Sequence, residues 1–175
     1  DRQGIVTVSK TDDGFLLVGE SGQELPCKAL IVALGASPVK LGIPGENSLQ
    51  GVASAVSFLR DVNEGKNPSA GRRVAVIGGG NTAVDSARSL RRMGSEAVYL
   101  VYRRSGEEMP AAQEEIEEAI YEGVELAYLT SPVEILGADG NVCGLKCIRN
   151  ELGDPDKSGR KSPKPVAGSE FVLDV

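Results

Sequence analysis

The chain has 175 residues, a formal charge of −6 and 41% hydrophobic content, enough for one α/β domain with a covered core and a small appendage. The acidic balance excludes a nucleic-acid surface, which is normally basic, and no apolar run approaches the roughly eighteen residues that span a bilayer. Twenty-two glycines beside nine prolines suit many tight connections between apolar runs rather than disorder; with no signal peptide visible, the expectation is a cytoplasmic protein.

In chain order, residues 1–33 give three short β-type runs, Ile5 to Val8, Phe15 to Gly19 and Ala29 to Ala33, with turns at Asp12-Asp13-Gly14 and Ser21-Gly22. The last run is a buried-strand pattern that ends in Leu34-Gly35-Ala36-Ser37-Pro38, and Leu41-Gly42-Ile43-Pro44-Gly45-Glu46 is a proline- and glycine-punctuated connection. Residues 53–62 read as a helix and residues 63–70 as the loop behind it.

The run from Arg73 to Asp85 is the most informative. Val74-Ala75-Val76-Ile77 empties into Gly78-Gly79-Gly80 and then into a helical pattern. Gly78-x-Gly80-x-x-Ala83 fits the dinucleotide fingerprint: the first glycine makes a tight turn, the second lets the backbone approach a pyrophosphate, and the small third position lets helix pack on strand. Unpaired N–H groups at the start of the helix then favour an anion there. After Ala83, the positions Ala87, Leu90 and Gly94 keep one buried helix face, and Gly94 stops the helix. Ala97 to Tyr102 is an apolar run suited to a parallel strand covered on both faces. Strand, turn, helix and strand thus close within about thirty residues, as a dinucleotide-binding unit requires.

The end of that second strand selects the cofactor. An NAD-specific unit carries Asp or Glu here for the ribose 2′-OH, whereas this chain reads Tyr102-Arg103-Arg104-Ser105. A guanidinium fork suits a phosphate that a carboxylate would repel, so the pair points to the 2′-phosphate of NADP. The plainer reading is a solvated pair, and Glu107 and Glu108 lie close enough in sequence to neutralise it when no cofactor is bound.

Residues 111–122 form a helix with Glu114, Glu115, Glu117 and Glu118 as a solvated face rather than a metal site, and residues 124–129 form a third parallel strand. Pro132 to Leu136, Val142 to Asn150 and Ser169 to Leu173 read as a three-stranded antiparallel meander whose first turn is Asp139-Gly140-Asn141. The polar stretch Gly153 to Gly168 reads as a long mobile connection. Cys143 and Cys147 fall on one face of a strand about 13 Å apart, too far for a disulfide or a shared metal, and Cys27 is isolated. With no histidine and no nucleophile–base pair, no catalytic residue is assigned, and the chemistry is the cofactor's.

Taken together, Gly78 to Asp85, Tyr102-Arg103-Arg104, Met109-Pro110-Ala111 and Leu129 to Leu136 resemble the NADPH-binding domain of the glutamate synthase small-subunit family. That family includes flavin- and iron–sulfur-linked oxidoreductases and the related part of dihydropyrimidine dehydrogenase. The resemblance covers residues 29–175. It implies that Gly78, Gly79, Gly80, Asn81, Thr82 and Ala83 hold the pyrophosphate side of NADPH, that Arg103 and Arg104 hold the 2′-phosphate, and that Gly35 belongs to the cofactor-binding crossing between domains. Ala33-Leu34-Gly35 has leucine where the family has threonine, so a hydroxyl hydrogen bond is absent.

The implied fold class is α/β: a Rossmann-like parallel sheet with a three-stranded antiparallel β-meander, plus a β-rich remnant of an FAD-binding domain at the N-terminus. Residues 1–46 are a partial FAD-domain segment and linker, and residues 47–175 the NAD(P)H-binding domain of a larger flavoprotein. Because the flavin fingerprint belongs upstream, FAD is expected in the full-length parent and not on this segment alone. The implied partners are the FAD domain of the same parent chain and a large catalytic subunit or iron–sulfur domain. Two alternatives stand beside this reading: an NADP(H)-binding module without turnover, and part of a thioredoxin-reductase-like or heterodisulfide-reductase-like flavoprotein, although no Cys-x-x-Cys is present.

Overall fold

Apolar side chains alternate along each strand of the central sheet, so each strand feeds two cores at once. The computed structural model describes residues 4–33 and 37–175 and contains two compact units, residues 1–37 and 38–175.

The first unit is an antiparallel sheet of β1 (Ile5–Thr11), β2 (Gly14–Gly19) and β3 (Glu24–Cys27), in the order β1-β2-β3. The expected third strand at Ala29 to Ala33 does not form. The chain turns tightly at Ser21-Gly22, where the Gly19 N–H donates to Gln23 O at 2.9 Å, and Glu24–Cys27 takes the place beside β2, pairing Cys27 with Phe15. An apolar run suited to burial on both faces is stable only between neighbours. No described strand pairs with residues 29–33, and Ile31 and Val32 stand 90% and 70% exposed.

The second unit contains α1 (Ala55–Asn63), β4 (Arg73–Ile77), α2 (Asn81–Arg92), β5 (Ala97–Val101), α3 (Gln113–Tyr121) and β6 (Glu125–Ala127). The strands are parallel in the order β4-β5-β6, each crossover running through a helix as parallel strands demand. On one face Val76, Val98 and Leu100 meet Ala83, Val84, Ala87 and Leu90 of α2 and Ile116 and Ala119 of α3. On the other face Ala75, Ile77, Tyr99 and Val101 meet Ile135, Leu145 and Cys147. Full burial of each large aliphatic side chain contributes about 1.5–3 kcal/mol.

That second face is covered by an antiparallel sheet, β7 (Thr130–Ala138), β8 (Asn141–Pro155) and β10 (Phe171–Leu173), in the order β10-β8-β7. The β7–β8 turn is the two-residue hairpin expected of Asp-Gly, with Asp139 at φ 51° and Gly140 at φ 79°. The stretch read as a mobile connection is instead ordered. The 15-residue β8 runs past the sheet and returns as β9 (Lys161–Pro165), with Asn150 opposite Pro165 and Glu151 opposite Lys164. Its composition resembles a loop, but its backbone pairs with β8 across the short turn between Pro155 and Lys161.

The linker is fastened to this unit. Both oxygens of Glu46 accept N–H bonds, from Leu41 and Gly42, at 2.8 Å, which holds its carboxyl below the ordinary range. The Ile135 N–H donates to Pro44 O at 2.9 Å. Gly45, at φ +88°, passes so close that a Cβ would collide with the Ile135 carbonyl.

The two β8 cysteines do not share a face. Gly137 pairs with Val142 and Leu136 with Gly144, which leaves Cys143 as an extra residue in a bulge. A bulge reverses the alternation, so Val142 and Leu145 both reach the core, Cys147 is buried and Cys143 is exposed. Burial pushes the Cys147 thiol up to about 11, so at pH 8 it stays protonated as well as covered. Alkylation of the folded chain at pH 8, read by mass spectrometry of peptides, is expected to label Cys143 rapidly and Cys147 only after denaturant is added.

Candidate functional site

The turn between β4 and α2 is built by three close approaches. Gly78 adopts φ +143°, and a Cβ there would lie 3.1 Å from Ala83 Cβ, the contact that requires a small third residue. The Gly78 N–H donates to Val101 O at 3.0 Å, tying the turn to the end of β5. Gly79 lies beneath the Tyr102 ring, so a Cβ there would sit 2.5 Å from two ring carbons. The ring is held by its hydroxyl, which donates to Glu108 O at 2.6 Å.

Helix α2 begins without a side-chain cap. Its N-cap is Gly80, with no capping hydrogen bond and no acid in the first turn; a Cβ on Gly80 would meet nothing within 4 Å. The N–H groups of the exposed Asn81 and Thr82 have no carbonyl one turn back, and the helix dipole favours an anion in front of them. The neighbouring loop is pinned to the turn: Ala111 N–H donates to Gly79 O, and Ala112 N–H to Asn81 Oδ1, both at 3.1 Å.

A crevice of about 440 Å³ opens at the carboxyl ends of β4 and β5, where ligands of open α/β sheets bind. Gly78, Gly79, Tyr102, Pro110, Ser131 and Pro132 border it, with Leu41 and Ile43 of the linker. In a chain of net charge −6, the charged residues lining it are Arg103, Arg104 and Arg160, with no acid.

The adjacent arginines do different things. Arg103 is exposed, and its backbone is fixed by Asn150, whose side-chain amide donates to Arg103 O at 2.9 Å and to Ser131 Oγ at 2.8 Å. Arg104 is 2% exposed. Its Nε donates to Lys161 O at 2.7 Å and its Nη2 pairs with Asp156 Oδ2 at 2.6 Å. Ser158, through its hydroxyl and N–H, and then Arg104 hold the Asp156 carboxyl below the usual range. The carboxylates that could have neutralised the pair are elsewhere: Glu108 accepts the Lys161 N–H at 3.0 Å, and among the described residues neither Glu107 nor Glu108 forms an ion pair.

Arg160 was not singled out from sequence. The β8–β9 hairpin brings it into the crevice through a turn in which Asp156 N–H donates to Arg160 O at 2.8 Å and Gly159 N–H to Asp156 O at 2.9 Å. The signal was Asp156-x-x-Gly159, a turn inside a stretch read as unstructured. Gly35 lies outside the described residues. No group of three or more His, Cys, Asp or Glu among the described residues could hold a metal, and no described helix is long and apolar enough to cross a membrane.

These features define a dinucleotide-binding α/β unit with a cationic crevice. The profile of the pyridine nucleotide-disulphide oxidoreductase family matches residues 1–156, and the chain belongs to that family. It is 45% identical over 148 residues to the NADP(+)-dependent formate dehydrogenase subunit beta of Moorella thermoacetica, covering 83% of this chain and 21% of that protein. It is 37% identical over 177 residues to the glutamate synthase [NADPH] small chain of Halomonas elongata, covering 91% and 37%. The structure of Mycobacterium tuberculosis FprA in complex with NADPH superposes with a TM-score of 0.65 at 26% identity, over 82% of this chain and 47% of that one. Lactococcus lactis thioredoxin reductase shares the fold, with a TM-score of 0.61 at 24% identity over 93% and 50%. The chain therefore spans about a fifth to two fifths of these curated relatives. NADPH and FAD are cofactors of the family.

The Tyr102–Gly79 contact leaves no room for a methyl group. Gly79→Ala is expected to displace the ring and lower stability by about 1–3 kcal/mol, the usual cost of overpacking, measured as a shift in urea midpoint.

Proposed function

We propose that residues 47–175 are the NADPH-binding domain, and residues 1–46 an FAD-domain segment and linker, of a cytoplasmic flavin-dependent oxidoreductase like the glutamate synthase small subunit. The observation that carries this reading is the uncapped, acid-free start of α2, which follows directly on Gly78 and Gly79 of a crevice whose charged lining is Arg103, Arg104 and Arg160. The residues present fit the group. Gly79 and Gly80 leave the backbone bare, the Asn81 and Thr82 N–H groups meet the pyrophosphate at the helix start, Gly78 and Ala83 keep turn and helix close, and Arg103 holds the 2′-phosphate.

When bound, NADPH supplies a hydride that the FAD of the full-length parent accepts, with electrons continuing to a partner subunit or iron–sulfur centre. This chain's share is orientation. Tyr102 and Asn81 fix the turn and the loop at Pro110, and Asn150 fixes the strand tip that carries Arg103. Arg104, whose guanidinium is engaged by Asp156 and Lys161, acts on the 2′-phosphate side by holding the hairpin in place.

The names of the relatives support this division. They share NADP(H) and differ in the second substrate, formate in one and glutamate synthesis in another; subunit designations recur among them, which favours a partner subunit here. Three free cysteines suit a reducing compartment.

Arg103→Ala is expected to weaken NADPH binding about 10- to 100-fold, the scale of one charge-assisted contact, and to leave NADH within about twofold. Equal losses for both coenzymes in a binding titration contradict the assignment. In the full-length parent, stopped-flow mixing with NADPH is expected to bleach the flavin absorbance, and an unchanged flavin spectrum overturns the reading.

A further inference from the structure

We infer that Arg160, at the tip of the β8–β9 hairpin, is a second phosphate-contacting cation of the crevice and sets the preference for NADPH over NADH together with Arg103. The inference rests on the assignment of the crevice to NADPH.

Arg160 borders the same crevice as Gly78, Gly79 and Arg103, and its side chain is half-buried. A guanidinium partly withdrawn from water ordinarily takes a carboxylate. Arg160 has none within ion-pair distance among the described residues; its Nε donates only to the neutral Ser158 hydroxyl, at 3.1 Å. Asp156 feels the charge of Arg160 but gives its oxygens to Arg104 and Ser158. Most of the Arg160 donor fork thus remains open toward a crevice that holds no negative side chain.

The placement is also rigid. Three bonds fasten the hairpin to the tip of β5 on either side of Arg160: Arg104 to Asp156, Arg104 Nε to Lys161 O, and Lys161 N–H to Glu108 Oε1. These anchors hold the backbone that carries Arg160, so presenting its guanidinium to a ligand costs less ordering than from a free loop. A monoester phosphate presents several oxygens and nearly two negative charges, which match two guanidinium forks. NADH offers only a hydroxyl at that position.

The test is calorimetric titration of the 175-residue chain with NADPH and NADH, for wild type, Arg160→Ala, Arg160→Lys and Arg103→Ala. For Arg160→Ala the expected result is a 10- to 100-fold weaker NADPH affinity, about that of one charged hydrogen bond, with NADH within about twofold. Arg160→Lys keeps the charge without the fork and is expected to recover part of the loss. If Arg160→Ala leaves NADPH affinity unchanged, or weakens both coenzymes alike, while Arg103→Ala still separates them, the role of Arg160 is refuted and the NADPH assignment stands. If Arg103→Ala also fails to separate them, the assignment falls and the role of Arg160 falls with it.

Discussion

The stacking of the Tyr102 ring on the bare backbone of Gly79 is the contact from which the rest of the site is measured. It joins the end of β5 to the turn that follows β4, two places adjacent in the sheet but more than a helix apart in sequence. The Tyr102 hydroxyl then sets the height of the loop at Glu108, that loop returns through Ala111 to Gly79 and through Ala112 to Asn81, and the Tyr102 carbonyl accepts the Thr130 N–H at 3.0 Å to start β7. A side chain at Gly79 would separate these parts together, because each is positioned by the one before it.

Charge is partitioned with the same economy. An acidic chain keeps carboxylates out of one crevice and concentrates guanidinium groups there, which raises the local concentration of anions relative to the surrounding surface. Burying Arg104 carries a desolvation cost that an ion pair alone does not reliably repay. The bond from its Nε to a backbone carbonyl adds a second partner and gives the pair a structural result: the hairpin is fixed against the segment that follows β5. Arg104 and Asp156 are therefore better understood through the loop they hold than through the stability they add.

The parts legible in the sequence are those whose partners are near in the chain. Strands β4, β5 and β6, helices α2 and α3, the glycine turn and the Asp139-Gly140 hairpin follow from periodicity and turn chemistry within a short window, and their helix and strand types agree with the structure. What was not legible depends on pairing and register that composition does not carry. Ala29 to Ala33 has strand composition but no neighbour among the described residues; β9 has loop composition but pairs with β8. Cys143 and Cys147 have same-face spacing, but a bulge intervenes that only the register with β7 reveals. Arg103 and Arg104 entered the sequence reading as one pair, yet consecutive side chains of an extended segment point to opposite sides. Both border the crevice, but Arg103 is left exposed there while the guanidinium of Arg104 is drawn to the β8–β9 hairpin.

This separation puts the glycine turn and the crevice arginines on different pieces of the chain. The features that any dinucleotide needs, a bare turn and open N–H groups at a helix start, are encoded within a dozen residues from Gly78 to Leu90. The features proposed to distinguish NADPH from NADH lie on pieces contributed later, the segment after β5 and the end of a hairpin some fifty residues further on. Because the hairpin is tied to the strand tip by hydrogen bonds and an ion pair rather than by the shared core, its residues can change while the apolar contacts of Val84, Ala87 and Leu90 with the sheet stay as they are. In the proposed assignment the glycine turn fixes where the dinucleotide lies, and the hairpin fixes which one is held.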